Sequence, residues 1–508
     1  MRSTGSSFGY VAGFVRLVLV VVGLQAASAA DRPNLLWIFV DDMSPNFSCY
    51  GETTITTPHV DLLAAEGTRF ARAYVTAPVC SPCRSALITG MYQTTIGAHQ
   101  HRSGRGELKI HLPEGIEPVP AILQRAGYYT CIGSGLLGGG SATKAGKGKA
   151  KGGKSGLGKT DYNFEYDPSI YNGPDWSGRA EGQPFFMQVQ LAGGKLREGP
   201  MEAREGKFRS KVREAFGDLT DPEKVVLPPH YPRDPVLLQD WADYLDSVRM
   251  TDRHVGLVLE RLEKEGLLDS TLVVFMTDHG ISHARGKQFL YDEGTQVPFV
   301  VKGPGVAAGA VREDLVEHID LAAMTLGAGG LEVPSWMQGR DILAKDYEPR
   351  SEVFAARDRC DETVEKIRSL RTDRFLYIRN FHPQRPHLQP NRYKDGKDIL
   401  KALRAGHEAG TLPAITEELL FSPTRPVEEL YDTKADPWQN RNLAGDPAHA
   451  ATLADLRARL DAKLVATKDP GPESEAMYDS DMAEYLKKGD SVIEANIALM
   501  KQWAAEGK

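Results

Sequence analysis

Cysteine is scarce in this chain, five in 508 residues (49, 80, 83, 131 and 360). There is no second Cys pair and no Cys/His run at zinc spacing, so Cys80-x-x-Cys83 is not half of a four-ligand zinc site. Excess positive charge is also lacking. Lys and Arg number 61 against 68 Asp and Glu, a formal net charge of -7, which gives no global reason to expect a nucleic-acid partner. No segment past residue 30 stays apolar for the ~20 residues a bilayer span requires, so no stable membrane anchor is expected. The run Leu17 to Leu24 is itself too short to span. With Arg2 ahead of it and Ala27-Ser28-Ala29 behind, it reads as a cleavable signal over residues 1–30, and the mature protein is expected to be secreted or periplasmic.

What is present is ordinary for a folded protein, 41% hydrophobic and 25% charged, and the length predicts a large domain with a smaller second one. Residues 31–349 are expected to form an α/β domain, a large mostly parallel sheet flanked by helices. Residues 350–508 are expected to form a smaller α+β domain with a helical tail, in which Phe375 to Asn380 and Glu428 to Asp432 read as strands and Ala450 to Val465 as a helix. Whether the charged tail wraps over the core or serves oligomerisation is open from sequence.

Leu35 to Val40 is a continuous apolar run, the pattern of a strand buried on both faces of a parallel sheet, and it stops at Asp41-Asp42. Leu272 to Met276 repeats the design and leads to Asp278-His279-Gly280. Ligands bind beyond the carboxyl ends of strands in open α/β sheets. If the two strands are neighbours, three carboxylates converge there. Buried together they repel and need a cation; a hard divalent ion with oxygen ligands fits, calcium ahead of magnesium.

Cys80-Ser81-Pro82-Cys83-Arg84, followed by Leu87-Ile88-Thr89-Gly90, is the most informative stretch. Pro82 suits the first position of a helix. Cys80 then lies at the helix N-terminus, where free N–H groups and the dipole favour an anion. Arg84, about one turn on, would brace a nucleophile and neutralise charge. A disulfide between the two cysteines stays open at this point; a redox pair would call for neither Arg84 nor the Thr-Gly ending.

The Gly/Lys/Ser-rich segment 133–159 contains two formal matches to the P-loop pattern, Gly148 to Ser155 and Gly153 to Thr160, which makes a kinase or ATPase the rival reading. A P-loop needs a strand before it and a helix after it; neither context is written here. The segment reads instead as a flexible surface loop, its lysines available to a polyanionic substrate.

The Cys-x-Pro-x-Arg signature with its Thr-Gly ending resembles that of type I sulfatases, members of the alkaline phosphatase superfamily. The resemblance runs from Asp31 to about Ala444 and takes in Asp252 to Gly256 and Glu428 to Asp432. Val353 to Arg359 and Arg371 to Asn380 look closest to bacterial heparan N-sulfatase-like members. The resemblance implies that Cys80 is oxidised to formylglycine by a formylglycine-generating enzyme, which leaves four other cysteines. It implies that Asp41, Asp42, residue 80, Asp278 and His279 hold the metal, and that Lys287 in Gly286-Lys287 contacts sulfate. Many members carry Asn where this chain has His279, and imidazole is a softer ligand than an amide oxygen.

In the implied reaction one hydroxyl of the aldehyde hydrate attacks sulfur, a general acid helps the sugar leave, and the second hydroxyl lets sulfate be expelled. Arg84 and Lys159 join the catalytic set. The chain departs from the family's Gly-Lys-x-His pattern, reading Gly158-Lys159-Thr160-Asp161, and a second family histidine corresponds to the stretch containing Lys195. The proton donor is therefore sought in His101, with His99 and Lys195 as substrate contacts. The expected activity is removal of sulfate from a sulfated carbohydrate, O-sulfate or N-sulfoglucosamine in type. The alternatives are a phosphate or phosphonate ester hydrolase of the same superfamily, and a non-catalytic glycan-binding homologue.

Overall fold

The computed structural model describes residues 32–136 and 156–508, with residues 1 and 5. The signal segment and most of the Gly/Lys-rich segment, including the first P-loop match, lie outside the described residues. No helix follows Thr160 at the end of the second match, so the local context of a P-loop is missing there.

Among the described residues eleven strands form two sheets. β1 (Asn34–Val40), β2 (Thr68–Tyr74), β3 (Tyr129–Gly133), β4 (Phe185–Leu191), β5 (Thr271–Thr277), β6 (Gln296–Lys302) and β7 (Ala310–Glu317) take the order β3-β4-β1-β5-β6-β2-β7. β3-β4, β4-β1, β1-β5 and β2-β7 pair in parallel, while β6 runs against both its neighbours. The sheet is mostly parallel, as the apolar runs predict.

β1, β4 and β5 are buried along their whole length because helices cover both faces. Leu36, Ile38 and Val40 pack in one cluster with Trp241, Leu245 and Val248 of the helix Pro235–Lys264. Leu35, Trp37 and Phe39 pack in another with Leu87 and Ile88 of the helix Cys80–Thr89 and Leu321 and Leu326 of the helix Asp320–Ala328. The long helix has a clean start: the Asp234 side chain accepts from the N–H of Val236 at 2.8 Å, and Pro235 needs no acceptor at the first position.

β8 (Val353–Arg357), β9 (Ile367–Arg371), β10 (Phe375–Asn380) and β11 (Glu428–Asp432) form an antiparallel sheet in the order β11-β10-β9-β8. Leu453, Leu456 and Leu460 of the helix Ala450–Ala466 cover Leu370, Tyr377 and Leu430. The tail helices Glu475–Leu486 and Ser491–Ala505 share a small core of Tyr478, Met482, Ile493, Ile497 and Met500. They return to the body rather than project from it. The Arg359 guanidinium reaches Glu473 at 2.7 Å and Asp481 at 2.6 Å, and Asn496 donates to Glu362 at 2.8 Å. No helix among the described residues is long and apolar enough to cross a membrane.

Candidate active site

The site is built where β1 and β5 end. Their register pairs Val40 with Thr277, which sets Asp41 beside Asp278. The Asp278 N–H donates to Val40 O at 2.8 Å, and the Asp42 N–H donates to Asp278 Oδ1 at 3.0 Å. Asp42 has φ +56°, a left-handed conformation that Asp tolerates better than most residues. The strand alternation stops there, and both consecutive carboxylates serve the same buried centre.

On the other side of β1, the turn after β4 comes so close that only glycine fits. A Cβ on Gly193 would lie 2.1 Å from Asp41 O, and one on Gly194 2.2 Å from Asp42 O. This turn delivers Lys195, whose Nζ is 2.5 Å from Asp41 Oδ2 and 3.7 Å from Cys80 Sγ.

The helix carrying the cysteine begins at Cys80, with Val79 as its extended cap, so Pro82 is its third residue rather than its first. The same physics permits this, since the third N–H of a helix also lacks an intrahelical acceptor. Gly90 closes the helix at φ +66°, its N–H turned back to Ala86 O and Leu87 O, which accounts for the Thr-Gly ending.

Cys80 is buried, with Sγ 3.4 Å from His279 Nε2 and 3.4 Å from Lys287 Nζ. Burial pushes its thiol up, but the charges of Lys159, Lys195, Lys287 and His279 outweigh that and hold it well below the usual thiol range. Cys83 faces the other way, its S–H donating to Asp278 O at 2.7 Å, and burial with Asp278 nearby pushes its thiol up. All five cysteines are unbridged.

Arg84 ties the helix to the strand ends. It pairs with Asp41, lies 3.6 Å from Asp278 Oδ2 and donates to Gln190 Oε1 at 2.5 Å. Burial alone would raise the Asp41 carboxyl; Lys159, Lys195 and Arg84 together hold it well below the carboxylate range. Asp41 is thus enclosed by cations.

The ligand atoms of Asp42, Cys80, Asp278 and His279, all buried, lie within 4.8 Å of one another. Their chemistry suits a divalent cation. His279 Nδ1 is 3.0 Å from Gly280 O; donating there leaves the Nε2 lone pair facing Asp42 and Asp278, at 3.3 and 3.4 Å. Asp278 Oδ2 has no hydrogen-bond partner. Burial, with Asp41 and Cys80 adding, pushes the Asp278 carboxyl up to about 7, a repulsion that a bound cation relieves.

Lys287 Nζ donates to Asp42 Oδ1 at 3.1 Å, and Lys159 Nζ is 3.3 Å from Asp41 Oδ2 and 3.4 Å from Asp161 Oδ2. His101 stands apart from these contacts. Its Nδ1 is 3.2 Å from Asp361 Oδ1, and it adds to the charges that hold the Asp161 carboxyl low. His99 has Asp358, Arg368 and Asp469 as its charged neighbours, none of them in the Cys80 cluster.

Two participants have no place in the sequence reading. Gln190 is a buried polar residue in the apolar strand Phe185–Leu191, and that oddity was a usable signal. Tyr393, 3.4 Å from Asp42 Oδ2 and 3.5 Å from Lys287 Nζ through its hydroxyl, carries no signal at all.

A strand-end carboxylate cluster, a buried cysteine opening a helix and four surrounding cations define a hydrolase site for an anionic ester. A family model described as Sulfatase matches residues 33–331, and one described as N-sulphoglucosamine sulphohydrolase, C-terminal, matches residues 279–399. The chain is 30% identical over 486 residues to an ulvan-active sulfatase of Formosa agariphila, covering 88% of this chain and 77% of that protein. It is 28% identical over 503 residues to N-sulphoglucosamine sulphohydrolase of Homo sapiens, covering 89% and 93%. A solved structure of a protein in complex with its substrate D-glucosamine-2-N,6-O-disulfate superposes at TM-score 0.60 with 18% identity, covering 87% of this chain and 100% of that one; this likeness is one of fold.

The chain belongs to the sulfatase family. It is a sulfuric ester hydrolase, with Cys80 set in a buried cluster with Asp42, Asp278 and His279 whose donor chemistry suits a metal ion.

Proposed function

We propose that residue 80 of this chain is the nucleophile and that the substrate is a sulfated glucosamine-type sugar, carrying an N-sulfo group or an O-sulfate. The observation that carries the reading is the position of Cys80 Sγ, 3.4 Å from both His279 Nε2 and Lys287 Nζ. The sulfur stands in for the oxygens of a formylglycine hydrate. Once a formylglycine-generating enzyme has acted, that hydrate supplies one hydroxyl to attack sulfur and a second by which sulfate is expelled. Calcium, held by Asp42, Asp278 and His279 with Asp41 beside them, would supply Lewis acidity toward the sulfate oxygens.

The chain's own cations do the rest. Arg84 fixes Asp41 and so the end of β1. Lys195 is raised well above its ordinary range, because Asp41, Asp42 and Cys80 outweigh its burial; it stays charged and binds sulfate oxygen rather than donating a proton. Lys287 is raised in the same way, chiefly by Asp42 against burial, and Lys159 completes the anion-binding wall. His101, oriented by Asp361, is the proton donor to the leaving sugar, with His99 a more distant substrate contact. The glucosamine assignment draws support from the N-sulphoglucosamine sulphohydrolase relative and from the match over residues 279–399. Export follows the sequence pattern of residues 1–30.

The test is sulfate release by the purified full chain from N-sulfoglucosamine and from glucosamine 6-O-sulfate, with aryl phosphate and aryl phosphonate alongside. Turnover of at least one sugar sulfate is expected. Faster cleavage of the phosphorus esters than of any sulfate would overturn the assignment.

A further inference from the structure

Behind Lys287 lies a small cavity, about 10 Å³, lined among others by Gln288, Phe289, Arg357, Gln389, Asn391 and Lys394. It has room for one water-sized particle. Its polar lining is unbalanced. Arg357 is 3% exposed, and its Nε and Nη1 have no hydrogen-bond partner; neither does Gln288 Nε2. Lys394 is 3% exposed and gives one proton to His283 O at 2.5 Å, which leaves two. Both cations flank one ring: the Arg357 guanidinium carbon is 4.7 Å and the Lys394 Nζ 4.8 Å from the centre of Phe289.

The carboxylates nearby are already engaged. Asp395 pairs with Arg404 at 2.6 Å and accepts from the Asn391 N–H at 2.9 Å. Glu365 pairs with Arg425 at 2.7 Å and accepts from Gln389 Nε2 at 2.6 Å. The Arg357 guanidinium itself makes no ion pair: Glu365 and Asp358, the carboxylates that favour its charged form, are bonded to Arg425 and Arg368 instead, and a buried charge without a bonded partner is costly. The burial cost shows in the titrations: Arg357 is lowered by burial, and Lys394 is pushed well below its ordinary range by burial, Arg357 and Lys397.

We propose that this cavity is a binding site for a monatomic anion, chloride being the natural occupant, held by Arg357, Gln288 and Lys394. A water molecule would satisfy the donors and could donate to the unpartnered acceptor of the lining, Gln389 Oε1, but it would bring no negative charge to a guanidinium whose Nε and Nη1 are unpartnered and which makes no ion pair of its own. The site adjoins the catalytic centre. Gln288 follows Lys287, has φ +81° and is pinned by its N–H to Pro78 O at 2.8 Å, two residues before Cys80. Lys394 follows Tyr393. A bound anion therefore locks the segments that carry both Lys287 and Tyr393.

The test uses the full chain in sodium chloride and in sodium methanesulfonate at equal ionic strength, with crystals soaked in sodium bromide. The expected results are a saturable upward shift of Tm in chloride alone and an anomalous bromide peak between Arg357 and Gln288. Arg357→Met and Gln288→Leu should each abolish the difference in Tm between the two salts, whatever they do to Tm itself. Equal Tm in both salts, an ordered water with no bromide peak, or a bromide peak without any Tm response would each overturn the proposal.

Discussion

Nε2 of His279 stands 3.4 Å from Sγ of Cys80, across 199 residues of chain. The imidazole is held from behind by Gly280 O, and the sulfur is fixed by a helix whose first intrahelical bond runs from Cys83 N to Val79 O at 3.1 Å. Each atom is rigid for its own local reason, and the parallel pairing of β1 with β5 brings them together.

Cys80→Ala should remove sugar-sulfate turnover by at least about 10³-fold and leave Tm within about 1 °C, since a small buried side chain is replaced by a smaller one. Mass spectrometry of the peptide spanning residue 80 should show an aldehyde in active wild-type protein. A fully active preparation that carries only the thiol would refute the nucleophile.

Stripping the protein with a chelator should abolish activity and lower Tm, because Asp42, Asp278 and His279 would face one another without a cation. Calcium at 100 times its Kd should return about 2.7 kcal/mol of stability together with the activity. Unchanged turnover after exhaustive chelation would count against a metal at this cluster.

Gly194→Ala should be far more damaging than its size suggests. The added Cβ would stand 2.2 Å from Asp42 O, so the turn or the backbone that carries Asp41 and Asp42 must move. Calcium affinity, read by titration, should fall about 10- to 100-fold while the far-ultraviolet spectrum stays native.

His318 gives the fold a pH dependence of its own. Its Nδ1 accepts from Thr76 N at 3.1 Å and its Nε2–H donates to Cys83 O at 3.1 Å, and burial holds the imidazole down at about 4. In the unfolded chain it protonates near 6.5. The unfolded state thus takes up the proton first as pH falls. Stability from this residue is complete above 6.5 and is lost toward 4, by about 1.4 kcal/mol per pH unit and roughly 3 kcal/mol in all. Urea unfolding of His318→Gln, which keeps a donor and an acceptor, should show a flatter profile than wild type across that interval; parallel profiles would refute the assignment.

His101→Ala should separate substrates by leaving group. Turnover of a sugar sulfate should fall about 10²-fold or more, while an aryl sulfate with an acidic phenol leaving group should be nearly unaffected. Equal losses on both would assign His101 to structure, through its contact with Asp361, rather than to proton transfer.

β1 and β5 were legible because burial on both faces writes a continuous apolar run; Asp-Asp after one such strand also fits a solvated turn, and their acidic ends were legible as a site because two strands end in this way and the cysteine motif accompanies them. The helix start at Cys80 was legible to within two residues; proline is acceptable anywhere in the first turn, so its position does not fix the boundary. The partners of His99 and His101 were not legible. Both sit on one short loop, yet apart from Asp161 near His101 their charged neighbours come from the second sheet and its connections, and no local pattern encodes that packing. Tyr393 lies 351 residues from Asp42 and is equally silent.

The chain alone settled the chemistry of each fragment: an apolar strand ending in acid, and a cysteine opening a helix with an arginine one turn on. Those are effects of neighbours along the backbone. The fold alone decided which charges meet. Asp41 is taken by Arg84 and Lys195, while Asp42, Asp278 and His279 are left facing Cys80. The reason is that Coulomb and hydrogen-bond energies depend on separation in space, and separation in space is set by strand register and helix packing, which no single segment contains.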